Sequence, residues 1–215
     1  MEAREEDPYP DVTAAGGLVQ ALREEAARRG RDIGLPSWAT DPLAVDTTRG
    51  YLSVDLAPEE RLFRLRVHIP DFGWDIGSTD DLGTLVEAIA AWWEGVPYDE
   101  LAARFGFLDL DGFTGALAAG EPTATQWAGL LSSAYYRGQR DLLRRLHADG
   151  ALRNAFPTMS HRAVRLQVDP MHRESRQVLV YERRDGHYEV VRAGAAPTEV
   201  PDDALIAHLR AALYE

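Results

Sequence analysis

Between residues 80 and 150 the apolar residues of this chain recur at helical spacing, and on both sides of that stretch they alternate. A segment with period 3.6 does not rest as a strand, nor one with period 2 as a helix. The chain must therefore combine a helical middle with flanking β structure. The clearest helix is predicted over 80–95, where Leu82, Leu85, Val86, Ile89, Trp92 and Trp93 form one wide stripe. Ser78, Thr79 and Asp80 supply N-terminal capping groups, and Gly95 with Pro97 ends the run. Further helices are expected over 97–105, 111–119, 123–136 and 139–149, with Gly106, Gly120, Gly138 and Gly150 near their ends.

The flanks read as strands. Phe63, Leu65, Val67 and Ile69 alternate with Arg64, Arg66 and His68, the plainest period-2 segment in the chain. Shorter strands are expected at 44–47 and 51–56 around an Arg49-Gly50 turn, and at 74–77. Beyond Pro157, Val164, Leu166 and Val168 alternate with polar residues, and 178–183 faces 187–192 across a turn at Arg184-Asp185-Gly186. A helix over 13–30 and another over 201–213 complete the pattern, with residues 1–11 expected as a flexible acidic tail. The expected fold is α+β: one mostly antiparallel sheet of five to six strands backed by helices, with an all-helical middle at about 80–150. Residues 12–215 are expected to form a single domain in which 97–150 is an insertion or subdomain.

Charge and composition narrow the functional classes. The formal net charge is −12, and all 23 basic residues are arginine. Acidic residues number 23 up to Asp111 and 12 after it, against 10 and 13 arginines, so the negative charge is concentrated in the first half. Such a surface argues against affinity for nucleic acid, whose phosphates call for a basic face. The absence of cysteine removes thiolate chemistry and disulfides. No apolar run is long enough to span a membrane, and the acidic, proline-containing start is unlike a secretory signal, so a cytoplasmic protein is expected.

No nucleotide-binding glycine loop, zinc motif or nucleophile elbow is present, and the six histidines are scattered without metal-ligand spacing. Neither a metal nor an organic cofactor is therefore expected. His161 and His68 are the candidate catalytic bases, because imidazole exchanges protons near neutral pH. Ser160 and His161, if extended, point to opposite sides of the chain and would not pair with each other. The candidate binding residues are Arg64, Arg66, Arg165, Ser160 and Trp74. Arg64, Arg66 and His68 share one strand face, and Arg165 with Gln167 is expected on that same face. The arginine forks there would hold a carboxylate or an acidic peptide. Trp74 lies between strand and helix, where it can line a cleft.

The stretch Trp127-Ala-Gly-Leu-Leu, followed by Leu152-Arg-Asn-Ala-Phe156-Pro157-Thr-Met-Ser160-His161 and an alternating strand, resembles an actinobacterial family of natural product biosynthesis proteins. The family pattern kept here is a tryptophan helix followed by L-R-x-x-F-P-x-x-S-H. The specific likeness covers about forty residues. The resemblance implies a soluble accessory protein of a biosynthetic cluster for modified peptides, and carries no assigned catalytic residues. Three roles follow as expectations: binding a peptide or small-molecule intermediate through an open sheet face; metal-independent cyclisation, elimination or hydrolysis with a histidine base; or a chaperone-like or immunity-like module gripping another pathway protein.

Overall fold

The computed structural model describes residues 7–39, 43–183 and 186–215. Its chain divides into two compact units where a single domain is expected: one holds the described residues up to Ile69 with Gly73–Leu110, the other Pro70–Phe72 with Asp111–Glu215. The α+β class and the antiparallel pairing hold. The strands, however, form two sheets rather than one of five to six. Alternation reports which residues of a strand share a face; it carries no information on which strands pair.

The first unit opens with α1 (Pro10–Ala15) and α2 (Leu18–Arg29), separated at Gly16 and Gly17, both with positive φ. Residues 7–11, expected as tail, are built into the unit. Asp7 accepts hydrogen bonds from the Tyr9 amide and the Thr13 hydroxyl. The buried Tyr9 hydroxyl lies 2.9 Å from the carbonyl oxygens of Ala57, Glu60 and Leu62. Then follow β1 (Leu43–Thr47), β2 (Gly50–Leu56), β3 (Phe63–Ile69) and β4 (Phe72–Thr79), adjacent in that order. Next come α3 (Leu82–Trp93) and α4 (Tyr98–Arg104). Leu52, Val54, Phe63, Leu65, Val67 and Ile76 make the sheet's half of a core completed by Leu18, Leu22, Leu85, Val86, Ile89 and Trp92. The Asp81 carboxylate caps α3 at the Thr84 amide. Trp93, placed on the stripe by its spacing, is instead 41% exposed at the last residue of α3, with its ring lying beside Gly34.

The second unit holds α5 (Gly112–Ala118), α6 (Pro122–Ser132) and α7 (Arg140–Ala148), then β5 (Phe156–Ser160), β6 (Ala163–Gln167), β7 (Gln177–Glu182), β8 (His187–Arg192) and β9 (Thr198–Pro201), and ends in α8 (Leu205–Tyr214). The five strands follow one another as an antiparallel meander. The β7–β8 pairing expected from the sequence is present; Arg184 and Asp185 of its turn lie outside the described residues. Two strands go beyond the sequence reading. β5 contains Pro157, which is tolerated because β5 is an outer strand with a partner on one side only. β9 is the other outer strand and ends in Pro201. The inner sheet face presents Val164, Leu166, Val178, Val180, Val190 and Val200 to Trp127, Leu143, Leu146, Leu205 and Leu209. The outer face is closed at β5, where Phe156 meets the edges of Phe72 and Phe113.

Candidate functional site

The residues of the L-R-x-x-F-P-x-x-S-H stretch divide into an anchor and a tip. Leu152, Ala155 and Phe156 are buried, and the buried Trp127 indole donates to the Ala155 carbonyl at 3.1 Å. Asp149 fixes the start of the stretch by accepting from the Ala151 and Leu152 amides, each at 3.1 Å. It also binds the Arg210 guanidinium of α8. The tip is the turn between β5 and β6. Ser160 pairs with Ala163, so His161 and Arg162 form a two-residue hairpin loop. Their φ values are +47° and +73°, the left-handed backbone that such a loop requires and that Asn-Gly ordinarily supplies. For residues with a Cβ this conformation costs about 1–2 kcal/mol each. Strain of this kind is characteristic of functional turns held by well-packed surroundings.

The left-handed turn also corrects the expectation that Ser160 and His161 face apart. Ser160 Oγ lies 3.3 Å from His161 Nδ1, because the chain is no longer extended at His161. The contact is exposed, and His161 opens onto a cleft of about 530 Å³. Tyr135, Tyr136, Gln139, Met159, His161 and Arg162 line it. The two tyrosine rings meet edge to face at 5.0 Å, and Tyr135 is 86% exposed. Two aromatic rings, an amide, an imidazole and a guanidinium around one opening suit a ligand with planar and anionic groups. Spacing within a helix over 123–136 would put Tyr135 and Tyr136 on its buried stripe; α6 instead ends at Ser132, so both tyrosines lie beyond it and Tyr135 is free of the core, while Gln139 carries no signal in the sequence.

His68, Arg64 and Arg66 lie on the open face of the four-stranded sheet, as their alternation implies. There Arg66 is already partnered: its Nε is 2.7 Å from Asp75, and its Nη1 is 3.6 Å from Asp55. Arg64 is exposed and has no ion pair among the described residues. The face is thus a compensated array rather than a cationic one. His68 stacks on Tyr51 at 4.4 Å with the rings parallel, and its Nε2 is 2.7 Å from Ser53 Oγ. Gly73 lies against the imidazole so closely that a Cβ there would fall 2.4 Å from Nδ1. Burial, reinforced by the Arg66 charge, pushes the His68 pKa below its ordinary value, so the ring is neutral at neutral pH. Tyr51 and Ser53 are legible as partners only once the β2–β3 register is known.

Arg165 and Gln167 do not share that face. They lie in β6 of the second unit's sheet, where Gln167 is buried and Arg165 is 3.3 Å from Asp71. Trp74 is half-buried and packs against the first unit's core. The expected set therefore falls into three places: Ser160 with His161; His68 with Arg64 and Arg66; and Arg165. Among the described residues no group of three or more acidic or histidine side chains is placed to hold a metal, and no helix is long and apolar enough to cross a membrane. No protein-family model matches the chain, and no curated protein or solved structure is significantly similar to it.

Proposed function

We propose that this protein binds a peptide or peptide-derived intermediate of a natural product pathway, and that the cleft at the Ser160–His161 turn is where it does so. The observation that carries the reading is the pair of non-glycine residues held in left-handed backbone at the rim of a tyrosine-lined cleft. Asn-Gly would make the same turn without strain, so the side chains present at 161 and 162 are what the strain retains. The anchor beneath, Trp127 on the Ala155 carbonyl and Asp149 on two amides, holds that tip on packed structure. The biosynthetic setting follows from the resemblance of the 127–168 stretch.

The open face of the first unit's sheet gives less support for anion capture, since Asp55 and Asp75 already occupy Arg66. A second reading, metal-independent catalysis, is favoured by the Ser160–His161 contact, which places a hydroxyl beside an imidazole. One experiment separates the two. The purified protein is titrated calorimetrically with a candidate precursor peptide, and the mixture is then analysed by mass spectrometry. Saturable binding with unchanged peptide mass, weakened about tenfold or more by Tyr135→Ala, is expected. A mass change abolished by His161→Ala would replace binding with catalysis. Binding unaffected by both substitutions would remove the cleft from the account.

A further inference from the structure

The cleft at the β5–β6 turn differs in charge from the rest of the chain. The formal net charge is −12, yet none of the described residues that line the cleft is acidic. Arg145 lies on Asp202 and Arg210 on Asp149, whereas the exposed Arg162 has neither an ion pair nor a side-chain hydrogen bond among the described residues. Asp141, two residues beyond Gln139 in sequence, pairs with Arg144 at 3.8 Å. The opening thus keeps an uncompensated guanidinium, with its five donors in a planar fork. His161 adds to it. When the Ser160 hydroxyl donates to Nδ1, the proton of the neutral ring sits on Nε2, where a ligand can accept it.

The rest of the lining is largely aromatic, and the segment that carries it is tied down. Arg140 donates to the Ser133 carbonyl at 2.8 Å, and the Tyr135 amide donates to the Ser133 hydroxyl at 3.2 Å. The Gln139 amide donates to the Tyr136 carbonyl at 3.1 Å. These bonds close the short connection on which both tyrosines stand, so the rings are at the cleft before a ligand arrives. Preorganisation of this kind lowers the entropy that binding costs. The Tyr135 ring is open to stacking, since almost all of the residue is accessible, and the half-buried Met159 adds a polarizable thioether to the same lining.

We propose that the peptide feature read by this cleft is a carboxylate beside an aromatic ring, the carboxylate engaging Arg162 and His161 and the ring lying against Tyr135 and Tyr136. The proposal rests on the cleft reading above and narrows it to one recognition rule. Two sources supply the chemistry: a free C-terminal aromatic residue, or an aspartate or glutamate next to an aromatic residue within the chain. A volume of about 530 Å³ falls in the range of ordinary ligand clefts and admits either. The first source makes the protein selective for a peptide whose C-terminus has not been cyclised or amidated.

The test is an NMR titration of the full-length protein, isotope-labelled at its methionine methyl groups. Met159 lies in the cleft and is one of three methionines in the chain. The probes are N-acetyl-Gly-Gly-Phe as free acid and as amide, N-acetyl-Gly-Glu-Phe amide, and N-acetyl-Gly-Gly-Ala acid as the ringless control. A ring-bearing acid should bind with a dissociation constant on the order of 0.1–1 mM and shift the Met159 methyl. Removing the carboxylate charge should weaken binding about tenfold, and removing the ring about threefold to tenfold. Arg162→Gln and Tyr135→Ala, both at exposed positions, should reproduce those losses. Arg192→Gln, at an exposed arginine outside the cleft, should change nothing. Binding of the Gly-Gly-Phe acid alone identifies a C-terminus, of the Glu-Phe amide alone an internal acidic residue, and of both the shared chemistry. No binding up to about 10 mM, equal binding of acid and amide or of ringed and ringless acid, or equal weakening by Arg162→Gln and Arg192→Gln each overturns the proposal. A precursor peptide that binds in a Tyr135-dependent way while every short probe fails would overturn this rule and leave the cleft reading standing. Precursor binding indifferent to Tyr135→Ala and His161→Ala would remove both.

Discussion

Replacing Asp149 by asparagine tests whether the stretch leading to the Ser160–His161 turn is held by charge or by packing alone. The Asp149 side chain is 8% exposed and sits between the Arg210 guanidinium and the Ala151 and Leu152 amides. Hydrogen bonding from Arg210, assisted by those amides and opposed by burial, lowers its pKa from 3.8 to about 2. At about 1.36 kcal/mol per pH unit, that drop corresponds to ~2.4 kcal/mol of folding stability. Arg210 is 52% exposed, so salt and solvent screen its share, and about 1–2 kcal/mol is the working figure at moderate ionic strength. The folded pKa lies below the unfolded one. The contribution is therefore complete above pH 3.8 and fades as pH falls toward 2. Urea unfolding of wild type and Asp149→Asn, followed by circular dichroism, should show a gap of about 1–2 kcal/mol at pH 7 that narrows to roughly half at pH 3. A gap under about 0.5 kcal/mol at pH 7, or one equally large at both pH values, would refute the reasoning.

The turn offers a gain-of-stability test: His161→Asn with Arg162→Gly should raise unfolding stability by about 1–3 kcal/mol by relieving left-handed strain at both positions, while ligand binding at the cleft is lost. Calorimetric titration alongside urea unfolding reads both, and retained binding would mean those side chains contribute nothing to it. On the other sheet, the depressed His68 pKa means that lowering the pH through 6.5 and below costs the first unit stability, since a neutral ring must take up a proton. His68→Gln should flatten that pH dependence. Gly73→Ala should destabilise by about 1–3 kcal/mol, because its methyl would meet the imidazole; a silent Gly73→Ala would show that the ring moves aside freely.

Local periodicity carried much of this architecture. The alternation of Phe63, Leu65, Val67 and Ile69 placed β3 and its buried face correctly, and the stripe through Leu82, Leu85, Val86 and Ile89 placed α3. Pairing between distant strands was not legible, which is why two sheets read as one and Arg165 was assigned to the face of Arg64. For the same reason Asp55 and Asp75 could not be recognised as the partners that neutralise Arg66. His161 was legible by its chemistry, but its contact with Ser160 depends on a φ of +47° that a histidine does not announce. Pro157 looked like a break in regular structure. In an outer strand it is compatible with pairing on the inner side, so β5 begins before it.

Both outer strands of the five-stranded sheet contain a proline, Pro157 in β5 and Pro201 in β9. A strand arriving from another molecule needs an unbroken row of amide donors and carbonyl acceptors to extend a sheet. Each proline removes one donor from such a row. The meander is consequently discouraged from growing into a fibre at either side, and the protein should stay dispersed when concentrated even though its inner strands are rich in valine.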